Sequence, residues 1–168
     1  MKSFRLFLSV ALFAVVSCTL LSVGCKSKCG TTTCQNAGTC ANNVCVCPTG
    51  FSGNACQSGW SDASIGTYDC TRSNCSPTIA GATTWKSAVT KAATGSGYTI
   101  DISNFDNSNT TIVGTIDSLQ NISISPATGT YGINASGRYA NGKITLHFTT
   151  SSSGGVGGYT CDMTMVKE

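Results

Sequence analysis

Charged side chains are scarce in this chain of 168 residues, because Asp, Glu, Lys and Arg together make up only 10% of it. The formal net charge is +3, and two of the ten basic residues, Lys2 and Arg5, lie at the N-terminus. Without these two the chain carries eight basic and seven acidic residues, a balance of +1. A protein that binds nucleic acid needs a basic patch to neutralise phosphates, so we expect no nucleic-acid partner.

Residues that carry catalysis or bind metals are equally rare. The only histidine is His147, and the chain has no Gly-x-Ser-x-Gly elbow, phosphate-binding loop or paired-cysteine zinc signature. The carboxylates form no cluster in the sequence: Asp62, Asp69, Asp101, Asp106, Asp117, Asp162 and Glu168. We therefore expect no enzyme activity, no catalytic residue, no cofactor and no metal site. His147 is expected on the exposed face of a strand, within reach of Asp101 or Asp162. A hydrolase, the least favoured alternative, requires His147 beside a buried carboxylate in a cleft.

Long apolar runs are absent after the first 24 residues. Lys2 and Arg5 precede an apolar run from Leu6 to Val16, which continues after a short break to Gly24-Cys25. A basic start, an apolar stretch and a small residue at the end predict a signal peptide over residues 1–24. An uncleaved membrane helix is the alternative, although the run is short and interrupted by polar residues.

The end of this run, Gly24-Cys25, resembles the processing site of bacterial lipoproteins, in which the cysteine is diacylated at its sulfur and acylated at its amine. The resemblance implies that Cys25 is the lipidated residue and that the protein binds a membrane through this anchor. Ser22 departs from the usual leucine, and Cys18 is a competing processing site. Lys26 stands where lipoproteins kept in the inner membrane often have aspartate, which favours the outer membrane and leaves the leaflet open.

Six of the eleven cysteines lie between Cys29 and Cys56, with 4, 5, 4, 1 and 8 residues between successive members. A segment of about thirty residues cannot bury enough apolar surface to fold by its core alone, so cross-links must stabilise it. Such a segment matures in an oxidising compartment. Six cysteines allow many pairings, and the spacing by itself selects none of them.

This spacing, with Gly50, Phe51 and Gly53 in the last loop, resembles an EGF-like domain. We call residues 29–56 the EGF-like module. The resemblance implies the disulfides Cys29–Cys40, Cys34–Cys45 and Cys47–Cys56. Ala37 replaces a glycine that is usual in the family, a departure that costs little if Ala37 keeps a negative φ. Lys26 and Lys28 stand where calcium-binding members carry acidic residues, so we expect no calcium site.

The chain after Cys56 changes to short alternating segments separated by turn residues, which is typical of an all-β domain. The signal peptide at 1–24 would be followed by the lipid-anchor residue and EGF-like domain at 25–57, a linker at 58–64 and an antiparallel β-domain at 65–168. Alternation and turn signals predict eight strands: Ile65–Thr71, Thr84–Lys91, Tyr98–Asn104, Thr110–Asp117, Gln120–Ser125, Gly132–Tyr139, Lys143–Thr150 and Tyr159–Val166.

The expected fold class is therefore mainly β, a small disulfide-rich module plus an antiparallel barrel or sandwich of about eight strands, with an up-and-down meander favoured. Asn141-Gly142 is a strong two-residue hairpin signal. Pro126 falls between candidate strands and Pro77 in a polar loop. Residues 84–94 also fit helical spacing, and strand is favoured.

Three further cysteines, Cys70, Cys75 and Cys161, lie in the β-domain. A cysteine near the first strand and another in the last is similar to the lipocalin-like, uncharacterised β-domain that follows EGF-like modules in other bacterial lipoproteins. The resemblance implies a disulfide between the first and last strands. Cys75–Cys161 is preferred, Cys70–Cys161 is the close alternative and Cys70–Cys75 the third.

These features predict a binding or structural role instead of turnover. In the first hypothesis the β-domain contacts a glycan or a protein through exposed Tyr, Asn and Thr side chains. In the alternative it is a lipocalin-like carrier of a small apolar ligand, with a pocket lined by Ile100, Ile102, Ile112, Ile144, Leu146 and Phe148. A domain of about 100 residues leaves little internal volume, so these six residues are expected to be core.

Overall fold

The structure, a computed structural model, describes residues 28–93, 96–125, 131–152 and 158–168. The predicted signal peptide, Cys18, Cys25 and Pro126 lie outside the described residues. Among the residues that are described, no helix is long and apolar enough to cross a bilayer.

The EGF-like module and the residues that flank it form three small antiparallel hairpins over residues 28–59. The strands are β1 (Lys28–Cys29), β2 (Thr32–Thr33), β3 (Thr39–Ala41), β4 (Val44–Val46), β5 (Phe51–Ser52) and β6 (Ser58–Gly59). Disulfides join Cys29 to Cys40, Cys34 to Cys45 and Cys47 to Cys56, the pairs that the family resemblance implies. The buried cluster of this module is made of cysteine, with Phe51 packed against it. Sulfur bridges therefore take the place of an apolar core.

The condition under which alanine at position 37 would cost little, a negative φ, is not met. Asn36 and Ala37 have φ values of 49° and 60°, so two successive residues adopt the left-handed conformation. This turn lets the Gly38 N–H donate to the Gln35 carbonyl at 2.8 Å and the Asn36 side chain donate to the Cys56 carbonyl at 2.7 Å. Because Ala37 has a Cβ, holding it in the left-handed conformation of this turn costs about 1 kcal/mol.

Residues 66–167 form a closed barrel of eight antiparallel strands, which confirms the mainly β class and selects the barrel over the sandwich. The strands are β7 (Gly66–Ser76), β8 (Thr84–Lys91), β9 (Thr99–Phe105), β10 (Thr110–Ile116), β11 (Asn121–Ile124), β12 (Tyr131–Ala140), β13 (Lys143–Ser152) and β14 (Thr160–Lys167). Each strand pairs with the next in sequence, and β14 pairs with β7. The topology is an up-and-down meander whose first and last strands close the ring.

Alternating burial explains why these segments are strands. On β13 Ile144, Leu146 and Phe148 face the interior, whereas His147 and the threonines beside it face solvent. Trp85, Ser87 and Val89 are buried and alternate with more exposed neighbours on β8, so the helical alternative for residues 84–94 is wrong.

The hairpin between β12 and β13 turns at Asn141 and Gly142, with φ values of 50° and 74°. Two successive residues with positive φ form a turn whose twist matches that of the flanking strands. This is the turn that Asn141-Gly142 predicts.

The first strand of the barrel, β7, ends at Ser76 and not at the predicted Thr71, and its last part contains a bulge. Asp162 pairs with Ser73, but Thr160 pairs with Ser76, so β7 carries one extra residue there. Asn74 has a φ of 52°. The bulge leaves the Asn74 side chain exposed and lets Cys75 reach Cys161, to which it is bonded. Pro77 follows directly after this strand.

Cys70 lies too far along β7 to reach Cys161, because it pairs with Met165. Among the described cysteines it is free, and it is only 1% exposed. Burial raises the pKa of its thiol, which keeps the group protonated and unreactive.

The interior of the barrel holds a continuous apolar cluster. Its fully buried members include Phe105 and Phe148, whose rings meet edge to face at 5.1 Å, and Met163 and Met165 from β14. Tyr68 lies at the end of the barrel near the EGF-like module and donates a hydrogen bond of 2.6 Å to the Ser64 carbonyl. We call this the proximal end; the opposite one, where β7 ends and β8 begins, is the distal end.

The segment expected to be a linker, residues 58–64, is packed between the two units. It contains β6 and a 3-10 turn at Asp62–Ser64, and Ser61 is fully buried. The Ser61 N–H donates to the Gly97 carbonyl at 2.9 Å, and the Gln120 side chain donates to the Trp60 carbonyl at 3.0 Å. A Cβ on Gly97 would collide with the Gly50 carbonyl. The module and the barrel are therefore in close backbone contact.

A buried ion pair occupies the distal end of the interior. Arg72 donates to Asp106 at 2.6 Å, and both side chains are 7% exposed. Tyr159 donates its hydroxyl proton to the second carboxylate oxygen of Asp106, and the Arg72 guanidinium lies 5.9 Å from the centre of the Trp85 ring. Burial, followed by the bond to Asp106, raises the pKa of Tyr159 to about 12. This network joins β7, β8, the turn after β9 and the segment before β14.

Removing one partner of the Arg72–Asp106 pair should destabilise the barrel strongly, because the other charge stays buried without compensation. We expect Arg72→Met and Asp106→Asn each to lower the unfolding free energy by about 3 kcal/mol in urea titrations. The double variant should lose less unfolding free energy than the sum of the losses in the two single variants. Lys86→Met, beside Asp69 in a pair that is 64% and 67% exposed, is the control and should change stability little. Additive losses at Arg72 and Asp106 would contradict a coupled pair.

Candidate functional site

The outer face of β11–β14 carries a row of polar side chains that continues onto β7. Strand register aligns five side chains in one row across the sheet: Ser123, Ser136, His147, Asp162 and Ser73. We call this set the outer row. Directly opposed residues of neighbouring antiparallel strands lie about 5 Å apart, so each member can contact the next.

His147 is held from one side by a carboxylate. Its Nδ1 lies 2.7 Å from Oδ1 of Asp162, and Asn74 donates to Oδ2 of the same carboxylate at 2.7 Å. The hydrogen bond with His147, followed by the one from Asn74, holds the pKa of Asp162 below its ordinary value. With Nδ1 engaged, Nε2 is the nitrogen left for a ligand.

A groove of about 310 Å³ lies on the side of His147 away from Asp162. It runs along β11, β12 and β13, and its lining residues are Ser123, Ile124, Ser125, Asn134, Ala135, Ser136, His147 and Thr149. The polar members are hydroxyl, amide and imidazole groups, which donate and accept hydrogen bonds without a fixed net charge. This chemistry suits a neutral, hydroxyl-rich ligand.

The hydrolase hypothesis finds little support in this geometry. Asp162 is the partner of His147, whereas Asp101 lies on β9, beside Thr90 and Val113. His147 and Asp162 have side chains that are 62% and 45% exposed, so the carboxylate is not buried. A triad needs a buried, oriented acid and a water-excluding cleft.

The residues proposed for an apolar pocket belong to the core. Ile100, Ile102, Ile144 and Phe148 are 0% exposed and Leu146 is 3% exposed, while Ile112 packs against the same cluster from its edge. Their side chains face the barrel interior and one another, as a small closed barrel requires.

Two candidate ion-binding clusters are already occupied by other bonds. The sulfur atoms of Cys29, Cys34 and Cys45 lie within 4.8 Å of one another, but all three are in disulfides and offer no thiolate. Asp106, in an oxygen-rich turn between β9 and β10, directs its carboxylate to Arg72 and Tyr159.

The expectation of exposed tyrosines is wrong for the tyrosines whose side chains are described. Tyr68 is fully buried, and Tyr98, Tyr139 and Tyr159 are partly buried. The expectation for Asn and Thr fits the groove, since Asn134 and Thr149 are exposed there.

Sequence reasoning missed several members of this site. Asn74 reaches Asp162 only because of the bulge in β7, which has no clear signature in the sequence. Ser136 and Asn134 follow from strand alternation, but their position beside His147 depends on the register set by the Asn141-Gly142 turn. That register was available from the sequence and is the signal that would have found them.

The comparisons with known proteins concern only a part of the chain. Over 53 residues, 30% of the chain, it is 43% identical to Protein kinase C-binding protein NELL2 of Xenopus tropicalis, an EGF-like protein. The chain spans 6% of the length of that relative. No protein-family model matches the chain. No solved structure matches it. This similarity supports the EGF-like character of the cysteine-rich region. It gives no information on the role of the barrel.

The contact of His147 and Asn74 with Asp162 predicts a pH-dependent stabilisation. Because the pKa of Asp162 is lowered in the folded protein, the stabilisation is present above the ordinary carboxyl pKa and is lost as the pH falls through the lowered value. Carboxyl-carbon NMR titration should show the pKa of Asp162 rising in His147→Gln and, by less, in Asn74→Ala. Thr145→Ala, on the same face of β13 and outside the row, is the control. An unchanged Asp162 titration in His147→Gln would show that the contact is not formed in solution.

Proposed function

We propose that this protein is a membrane-anchored lipoprotein of the cell envelope with a non-catalytic binding role. The support for the anchor is in the sequence: a basic start, an apolar run and Gly24-Cys25 at its end. The support for an extracytoplasmic location is the EGF-like module, whose buried cluster consists of disulfide-bonded cysteines. Lys26 favours the outer membrane.

The binding role rests on one observation, the groove beside His147. The imidazole is fixed by Asp162, and hydroxyl and amide groups from three strands surround the same space. Such groups match the hydroxyls of a saccharide, and their placement on the backbone of a closed sheet lowers the ordering cost of binding. We therefore favour a glycan as the ligand over a protein, because the hydroxyl, amide and imidazole groups of the groove can pair with the hydroxyls of a saccharide.

The carrier hypothesis is weaker. An eight-stranded antiparallel barrel is consistent with a lipocalin-like fold. A carried ligand needs interior volume, however, and the six residues proposed to line it pack in the core cluster or against its edge.

The mass of the intact protein extracted from membranes tests the anchor. We expect a mature chain starting at Cys25, bearing two acyl chains on its sulfur and one on its amine, with four disulfides and the Cys70 thiol free. Cys25→Ser should abolish acylation and release the protein from membranes, whereas Cys18→Ser, the control, should leave both unchanged. An unacylated wild-type chain would refute the lipoprotein assignment.

Glycan-array binding of the detergent-extracted protein tests the groove. Ser136 is an exposed groove residue, and Ser136→Trp should fill the space and reduce binding at least about tenfold. Thr71→Trp places the same bulk on an exposed position of β7 outside the groove and should bind like the wild type. Equal binding by both variants would place the contact elsewhere, and no bound glycan at all would refute the glycan proposal.

A further inference from the structure

The EGF-like module and the residues that follow it carry no charge. Between Cys29 and Ser61 the sequence contains no Asp, Glu, Lys, Arg or His, and the first acidic residue of the whole chain is Asp62. The charges closest to the module on its N-terminal side are Lys26 and Lys28. The charges next to this uncharged segment on its N-terminal side are therefore positive. The segment itself has no acidic group that an anionic surface would repel.

One face of the module is apolar and uncovered. Val44 and Val46 are 64% and 53% exposed, and Cys45 between them turns inward. In the register of β3 and β4, Val44 opposes Ala41 and Val46 opposes Thr39, so these four side chains share one face. We call it the hairpin face. The two valines and Ala41 form a small contiguous apolar patch, which an apolar phase can cover.

The chain enters the module at this same hairpin. Cys29, the second of the described residues, is bonded to Cys40 on β3, with a Cα–Cα distance of 5.3 Å. Cys40 opposes Cys45, so this bond lies on the other side of the hairpin from Val44 and Val46. Only three residues separate Cys29 from Cys25, a reach of roughly 10 Å when fully extended. The barrel contacts the module elsewhere, through Gly50 and the residues after β6.

We propose that the hairpin face lies on an anionic bilayer surface, with Val44 and Val46 at the level of the headgroup boundary. The inference rests on the proposed lipid anchor at Cys25. An anchor this close raises the local concentration of the face at the membrane, so a small apolar contact is enough to fix its orientation. The anchor then does more than tether the protein, because it sets which side of the module meets the lipid.

Tryptophan quenching by brominated lipids tests this orientation. Full-length acylated Val44→Trp and Val46→Trp proteins are reconstituted in vesicles of phosphatidylethanolamine and phosphatidylglycerol, and the signal of the native Trp60 and Trp85 is subtracted with the wild type. Val113→Trp is the matched control, because Val113 is 57% exposed on a barrel strand. We expect at least about twofold stronger quenching at positions 44 and 46 than at position 113, and a smaller difference in purely zwitterionic vesicles.

The outcomes separate the orientation from the anchor. If the proteins float with the vesicles but positions 44, 46 and 113 are quenched equally, the hairpin face does not meet the membrane and the anchor stands. If acylated protein is not obtained and nothing floats, the anchor and the orientation fall together. Wild-type hydrogen exchange of the β3–β4 amides, compared between anionic and zwitterionic vesicles, checks the result without any substitution. Slower exchange on the anionic vesicles supports the proposal, and identical exchange overturns it.

Discussion

The pairing of β14 with β7 is the constraint on which the rest of the barrel depends. It joins the two strands that would otherwise be open edges, and exposed edges invite aggregation. The Cys75–Cys161 disulfide crosses the same seam and closes a loop with a sequence separation of 86, which in the chain-entropy view stabilises the fold by about 4.5 kcal/mol. The seam is thus closed twice, by hydrogen bonds and by a covalent bond.

The bulge in this seam connects the interior with the surface. One extra residue in β7 brings Cys75 to Cys161 and leaves Asn74 outside, in contact with Asp162. Asp162 in turn holds the imidazole of His147 beside the groove. The geometry of the candidate site is therefore a consequence of how the barrel closes, and a shift of one residue along β7 would change both faces together.

Most of the fold could be predicted from local patterns. Alternation located all eight barrel strands, and the Asn141-Gly142 turn set the register of β12 and β13. The choice between barrel and sandwich could not be predicted, because it depends on the pairing of β7 with β14 across the whole domain. The bulge at Asn74 and the left-handed Ala37 were missed for a related reason, because each lies beside a contact with a residue distant in sequence. The contacts are the Cys75–Cys161 disulfide in the first case and the hydrogen bond from Asn36 to the Cys56 carbonyl in the second. The sequence offered two partners for His147, Asp101 and Asp162. Only the order of the strands in the barrel shows that Asp162 is the neighbour.

Cys70 gives the molecule a kinetic problem during its maturation. It lies five positions before Cys75 on the same strand, and its thiol is sealed inside the finished barrel. Before the strands have paired, both thiols are open to oxidants, and either one can react with Cys161. The native bond is favoured only once β7 and β14 have paired, since that pairing puts Cys70 opposite Met165 and out of reach. The native bond therefore forms most readily after strand assembly, and a chain with a Cys70–Cys161 bond needs thiol–disulfide exchange before the barrel can close.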